Sequence, residues 1–149
     1  MTLSGTDGDF ELTPQKALII SLLYLGNSDG DISQEDLSQI AAAACDDADV
    51  VDHALEIARS NDMPVVLKEI HKSLTPAQKR ATVVRMIKAA VSVGKPNRNQ
   101  WTFIRTYSGI FGISNEDLDD YLKAMILAED MSLFLDPEHE MNGATEKGR

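Results

Sequence analysis

Residues 17–37 read ALIISLLYLGNSDGDISQEDL, and the register of this stretch decides the fold. Its first nine residues, Ala17 to Leu25, contain no charge and a single serine, Ser21. Just upstream, Thr13-Pro14 supplies an N-cap followed by proline at the first helical position. The stretch therefore predicts a helix from 14 to about Gly26. It is apolar almost all round, which places it at the centre of a helical bundle. Nine apolar residues fall well short of the roughly 20 needed to cross a bilayer. Downstream, Ser33 and Asp36 have the spacing of a capping box, so a second helix starts there and carries Leu37, Ile40, Ala41 and Ala44 on one face.

The same grammar continues along the chain. Asp46-Asp47-Ala48-Asp49 stops the second helix and starts a third, with Val51, Ala54, Leu55 and Ala58 at helical spacing. Asn61-Asp62-Met63-Pro64 breaks it, and a short fourth helix follows with Val66, Leu67, Ile70 and Leu74. Thr75-Pro76-Ala77-Gln78 is the strongest start signal. The fifth helix runs through Val83, Val84, Ile87 and Val91 to about Val93, where Gly94-Lys95-Pro96 breaks it. Asn97 caps a sixth helix with Trp101, Ile104, Ser108 and Phe111 on one stripe. Ser114 and Asp117 cap a seventh, with Leu118, Tyr121, Leu122, Met125 and Ile126 facing inward. The expected fold class is all-α: a bundle of about seven helices in one domain over 12–130. Residues 1–11 are expected to be a disordered N-terminus, and 131–149 an acidic, flexible tail.

The chain repeats itself with a shift of 64 residues. Gly30 falls on Gly94, Ser33 on Asn97, Leu37 on Trp101 and Ile40 on Ile104, which implies two pseudo-symmetric helical hairpins. The loop chemistry differs between the copies. Asp29 falls on Val93, Asp31 on Lys95 and Glu35 on Asn99.

Charge is unevenly spread over the 149 residues and their net −10. Up to position 62 there are thirteen acidic residues against two basic ones; across 63–110 nine basic residues meet Glu69 alone; beyond 110 the acidic residues lead ten to three. This is either an internal dipole or a basic face for an anionic partner. Lys68, Lys72, Lys88, Lys95 and Arg98 are the candidate partner-binding residues of that face. The acidic balance and the lack of aromatics among the lysines speak against nucleic acid. Cys45 is the single cysteine, so there is no disulfide framework, and it reads as a buried thiol. The N-terminus has neither a basic flank nor an apolar run, so the expectation is a cytoplasmic protein without a signal peptide.

The loop Asn27-Ser28-Asp29-Gly30-Asp31 is the one place with metal-ligand chemistry. With Gly30 as the turn glycine of an EF-hand-like loop, Asn27 and Asp29 supply oxygens at the third and fifth positions and Asp36 stands at the twelfth. Leu25 has no oxygen to offer at the first position, so a full EF-hand does not fit. A weaker site for calcium or magnesium from Asp29, Asp31 and Glu35 or Asp36 remains open. So does a purely structural reading, in which Gly30 makes a left-handed turn and the acids stabilise the helix N-terminus by about 0.3–1 kcal/mol each. The histidines do not form a ligand set: there is no Glu-x-x-His pair, and His53 and His71 read as rim or exposed residues, with His139 in the tail. No Gly-x-Ser-x-Gly elbow or phosphate loop is present.

With these residues in view, the segment 17–37, together with Phe111-Gly112-Ile113-Ser114, resembles the TerB-like (tellurite-resistance B) family over roughly residues 12–130. The resemblance implies an all-α bundle, cytoplasmic or on the cytoplasmic side of a bacterial membrane. It also implies a protein partner, membrane-associated in some members, in stress or tellurite-resistance complexes, and no enzymatic activity. Metal binding by the acidic loop has been proposed for such proteins. This chain departs from the pattern in its second loop, Val93-Gly94-Lys95-Pro96-Asn97-Arg98, which has lost both acids. If the loops lie close, Lys95 or Arg98 is placed to pair with Asp29 or Asp31 where a cation would otherwise bridge.

Overall fold

The first helix, α1 (Pro14–Asn27), is the axis of the molecule. Nine of its fourteen residues are buried, an unbroken run from Ile19 to Gly26 among them. Five other helices pack on it: α2 (Gln34–Ala43), α3 (Ala48–Ser60), α4 (Met63–Ser73), α5 (Pro76–Val91) and α6 (Arg98–Ile110). The last helix, α7 (Asn115–Glu129), packs on α5 and α6. The computed structural model describes residues 12–28, 30, 32–91 and 97–129, and among these every regular element is helical. The N-terminal residues 1–11, the Gly94-Lys95-Pro96 break, and the tail from Asp130 onward lie outside the described residues, as do Asp29 and Asp31.

Cap chemistry sets the helix boundaries as the sequence implies. The Lys16 amide donates to Thr13 Oγ1, with Pro14 at the first position. Reciprocal capping boxes open α2 (Ser33 with Asp36), α5 (Thr75 with Gln78) and α6 (Asn97 with Gln100). At α7 the Asp117 amide donates to Ser114 Oγ. Each box satisfies two backbone donors that a helix start otherwise leaves without partners.

The core holds Ile19, Ile20, Leu22 and Leu25 of α1, Val66 and Ile70 of α4, Val83, Met86 and Ile87 of α5, and Ile104 and Tyr107 of α6. Burying each large side chain of this kind contributes about 1.5–3 kcal/mol. The tightest approach is at Gly26. A Cβ there would stand 3.2 Å from Ile32 Cγ1 and 3.3 Å from Asp36 Oδ2, so the start of α2 sits directly on this backbone position.

Three expectations need correction. Of the face expected on α2, Ile40 and Ala44 are buried and Ala41 is half-buried, but Leu37 is 47% exposed, and Asp36 and Ala43 are buried in addition. Ile126 is exposed and only Leu118 of α7 is fully covered, because α7 lies on the flank of α5 and α6 rather than inside the bundle. Cys45 is exposed. It follows the C-cap Ala44 with φ +53°, and the turn that closes α2 points it into solvent.

The repeat is longer than the hairpin visible in the sequence. After α2, the Cys45 and Asp46 amides donate to Ala42 O and Ala41 O; after α6, those of Gly112 and Ile113 donate to Gly109 O and Ser108 O in the same pattern. The caps that follow, Asp47 and Ser114, have the same spacing. Two three-helix units, α1–α3 and α5–α7, thus share one layout, with about one extra turn in α6. The connecting helix α4 has no counterpart among the described residues.

Candidate functional site

Three cavities are lined in part by α6. Between α4 and α6 lies a cavity of 420 Å³ walled by Met63, Leu67, Phe103, Tyr107 and Ile110, with Ser28, Arg98, Asn99, Thr102 and Thr106 at its polar edge. A second cavity of 420 Å³ shares Met63, Leu67 and Ile110 with it and adds Pro64, Lys68 and His71. Through those shared residues the two form one groove. On the other side of α6, a cavity of 570 Å³ is lined by Asn97, Arg98, Trp101, Thr102, Arg105, Leu122 and Ile126. Each volume is of the size that takes a ligand or one or two large side chains.

The groove walls share α1 as a base and differ in their other supports. α4 rests on α1 and α3, whereas α6 is held by α1, α5 and α7. Along α6 an aromatic series at i, i+4 spacing stiffens the wall: Phe103 lies 5.5 Å from Tyr107, and Tyr107 meets Phe111 edge-on at 5.0 Å. His71 of α4 stacks on Phe111 at 6.2 Å, and Lys79 of α5 places its Nζ 5.9 Å from the same ring.

Beneath the groove sits a buried polar cluster. Ser21 Oγ donates to Ala17 O at 2.7 Å, which leaves it to accept the Tyr107 hydroxyl. Burial pushes the Tyr107 phenol well above its ordinary value, and the Ser21 hydrogen bond offsets only part of that. The Tyr24 phenol is also raised by burial, and its oxygen finds no hydrogen-bond partner among the described residues. Both phenols are protonated at neutral pH.

Among the described residues, no carboxylate lines any of these three cavities. Arg98, Arg105 and Lys68 are the charged groups present. The walls offer apolar contact, hydroxyls and positive charge, which is the chemistry of binding an anionic amphipathic ligand.

Of the sequence candidates for a partner surface, Lys68 and Arg98 come to the same groove. Lys72 lies outside its lining and pairs with Glu69 at 3.3 Å, Lys88 is exposed on α5, and Lys95 lies outside the described residues. Arg105, Met63, Phe103 and Ile110 were not among the candidates. Arg105 stands two turns after Arg98, and that spacing was the available signal.

Of the metal candidates, Glu35 and Asp36 are described. Asp36 is 5% exposed, and its Oδ2 accepts the Ser33 amide at 3.0 Å inside the capping box. Glu35 accepts from Gln39 Nε2 at 3.3 Å. Asp29 and Asp31 lie outside the described residues, and among those described no three His, Cys, Asp or Glu side chains are grouped to hold a metal ion. The ends of the two loops do converge: Ser28, next to Asp29, and Arg98 line the same cavity. His53 is exposed, with Nδ1 2.7 Å from Lys16 Nζ.

No helix of the described residues is long and apolar enough to cross a membrane. Comparison with protein-family models, curated proteins and solved structures finds no match to this chain.

Proposed function

We propose that this chain is a non-enzymatic interaction domain of the TerB-like kind its sequence resembles, and that it docks a protein partner along the α4–α6 groove. The setting suggested by that resemblance is a bacterial stress or tellurite-resistance type assembly. The observation that carries the reading is the groove itself. Its apolar walls stand half open to solvent, with Met63 at 42% and Ile110 at 40%, and its charged rim is basic in an acidic protein. The alternative, a divalent-metal-responsive module using Asp29, Asp31, Glu35 and Asp36, is the weaker one. The Asp36 carboxylate is turned inward and already caps α2.

The two-copy layout supplies an internal control. Thr102 on α6 and Ser38 on α2 occupy equivalent exposed positions. A photo-crosslinking amino acid at position 102 should give a discrete adduct with a protein partner in cells, and the same group at position 38 should not. Absence of an adduct from 102, or the same adduct from both positions, overturns the reading.

A further inference from the structure

We infer that the segment docked in the α4–α6 groove is an acidic amphipathic helix belonging to the partner. This rests on the interaction reading and names the chemistry of the partner.

Shape points to a helix. The two cavities join through Met63, Leu67 and Ile110, so the recess is elongated rather than a single pit. Its long wall runs along α6 from Arg98 to Ile110. Twelve residues of helix rise about 18 Å, which matches a partner helix of about three turns. Both walls present side chains at helical spacing: Met63 and Leu67 on α4, and Phe103, Tyr107 and Ile110 on α6. Ridges of this kind receive apolar residues repeating at i, i+4 and i+7.

Charge points to acid. Arg98, exposed, stands at one end of the groove, and among the described residues no carboxylate lines either cavity. The rest of the chain carries the excess that brings the net charge to −10. The described lining of the groove is thus matched to an acidic helix and not to a basic one.

Selection of helical 16-residue peptides from a display library against the full chain tests this. Enriched peptides should be acidic, with apolar residues at i, i+4 and i+7. Their affinity should fall at least tenfold in Arg98→Glu and in Ile110→Glu, and should be unchanged in Ser38→Glu on the equivalent face of α2. Arg98 and Ile110 are exposed, and an unaltered melting temperature verifies that both variants fold. Enrichment of neutral or basic peptides, or of acidic peptides indifferent to both substitutions, overturns the inference. So does acidic-peptide binding that appears only after truncation behind Glu129, which would make the chain's own residues 130–149 the occupant. In each of these cases a crosslink from position 102 to a separate protein would leave the interaction reading standing. Loss of that crosslink removes both.

Discussion

The two three-helix units place the same side chains in the same roles until α1 is compared with α5. Ile19, Leu22, Leu23 and Leu25 correspond to Val83, Met86, Ile87 and Ala89, and all eight are buried. Ser21 and Tyr24, however, correspond to the exposed Arg85 and Lys88. With Ala17, which is buried where Ala81 is exposed, these positions separate a largely covered helix from one with a face in water. In α1, Ser21 and Tyr24 carry hydroxyls that sit inside the protein. In α5, Arg85 and Lys88 carry charges that remain in solvent, because a buried unpaired charge would cost several kcal/mol.

The layout can be broken most strongly at its shared core position. Ile40 and Ile104 are equivalent, buried, and follow matching capping boxes. Ile→Ala at either should cost about 2–5 kcal/mol in chemical denaturation, with the larger loss at Ile104, which is covered on all sides. A loss at Ile40 well above that at Ile104 would mean that the two units are not energetically alike.

A smaller effect tests the hydroxyls peculiar to the α1 side. Tyr107→Phe removes the donor to Ser21 Oγ and should cost about 1 kcal/mol, whereas Tyr24→Phe removes a buried oxygen without a partner and should be neutral or stabilising. Equal losses would contradict the hydrogen-bond assignment. Both phenols are raised by burial, so their contribution to stability is fully present below the unfolded value of about 10 and is lost as pH rises beyond it. The melting temperature should drop in that alkaline range, and drop less in Tyr107→Phe.

The smallest effect lies in the turns that close α2 and α6. Gly112 adopts φ +78° where the first unit places Cys45 at φ +53°. Left-handed backbone disfavours any side chain by about 1–2 kcal/mol. Gly112→Ala should therefore destabilise by about 1 kcal/mol, and Cys45→Gly should raise stability by up to about 1 kcal/mol, both read from thermal melts. A fall in stability for Cys45→Gly would mean that the thiol makes a contact that offsets the strain.

The sequence carried the helices because their signals are local. Thr13-Pro14, Ser33 with Asp36, and Asn97 with Gln100 each act within four residues, and each caps the helix it was expected to cap. The exposure of Leu37 and burial of Asp36 were not legible, because they depend on the α2 N-terminus coming to rest on Gly26. Tyr107 was passed over for a similar reason: its hydroxyl partner, Ser21, is 86 residues away. The groove was legible only in part. Basic residues at 68 and 98 mark it in the sequence, but nothing local sets Met63, Phe103 and Ile110 apart until α4 and α6 are seen as facing walls.

A domain made of two like halves would ordinarily offer its ligand two like seats. Here α4, present once, forms a wall opposite α6. The groove between them therefore has no twin in the first unit among the described residues, and a partner docked there would break the symmetry that the two units share.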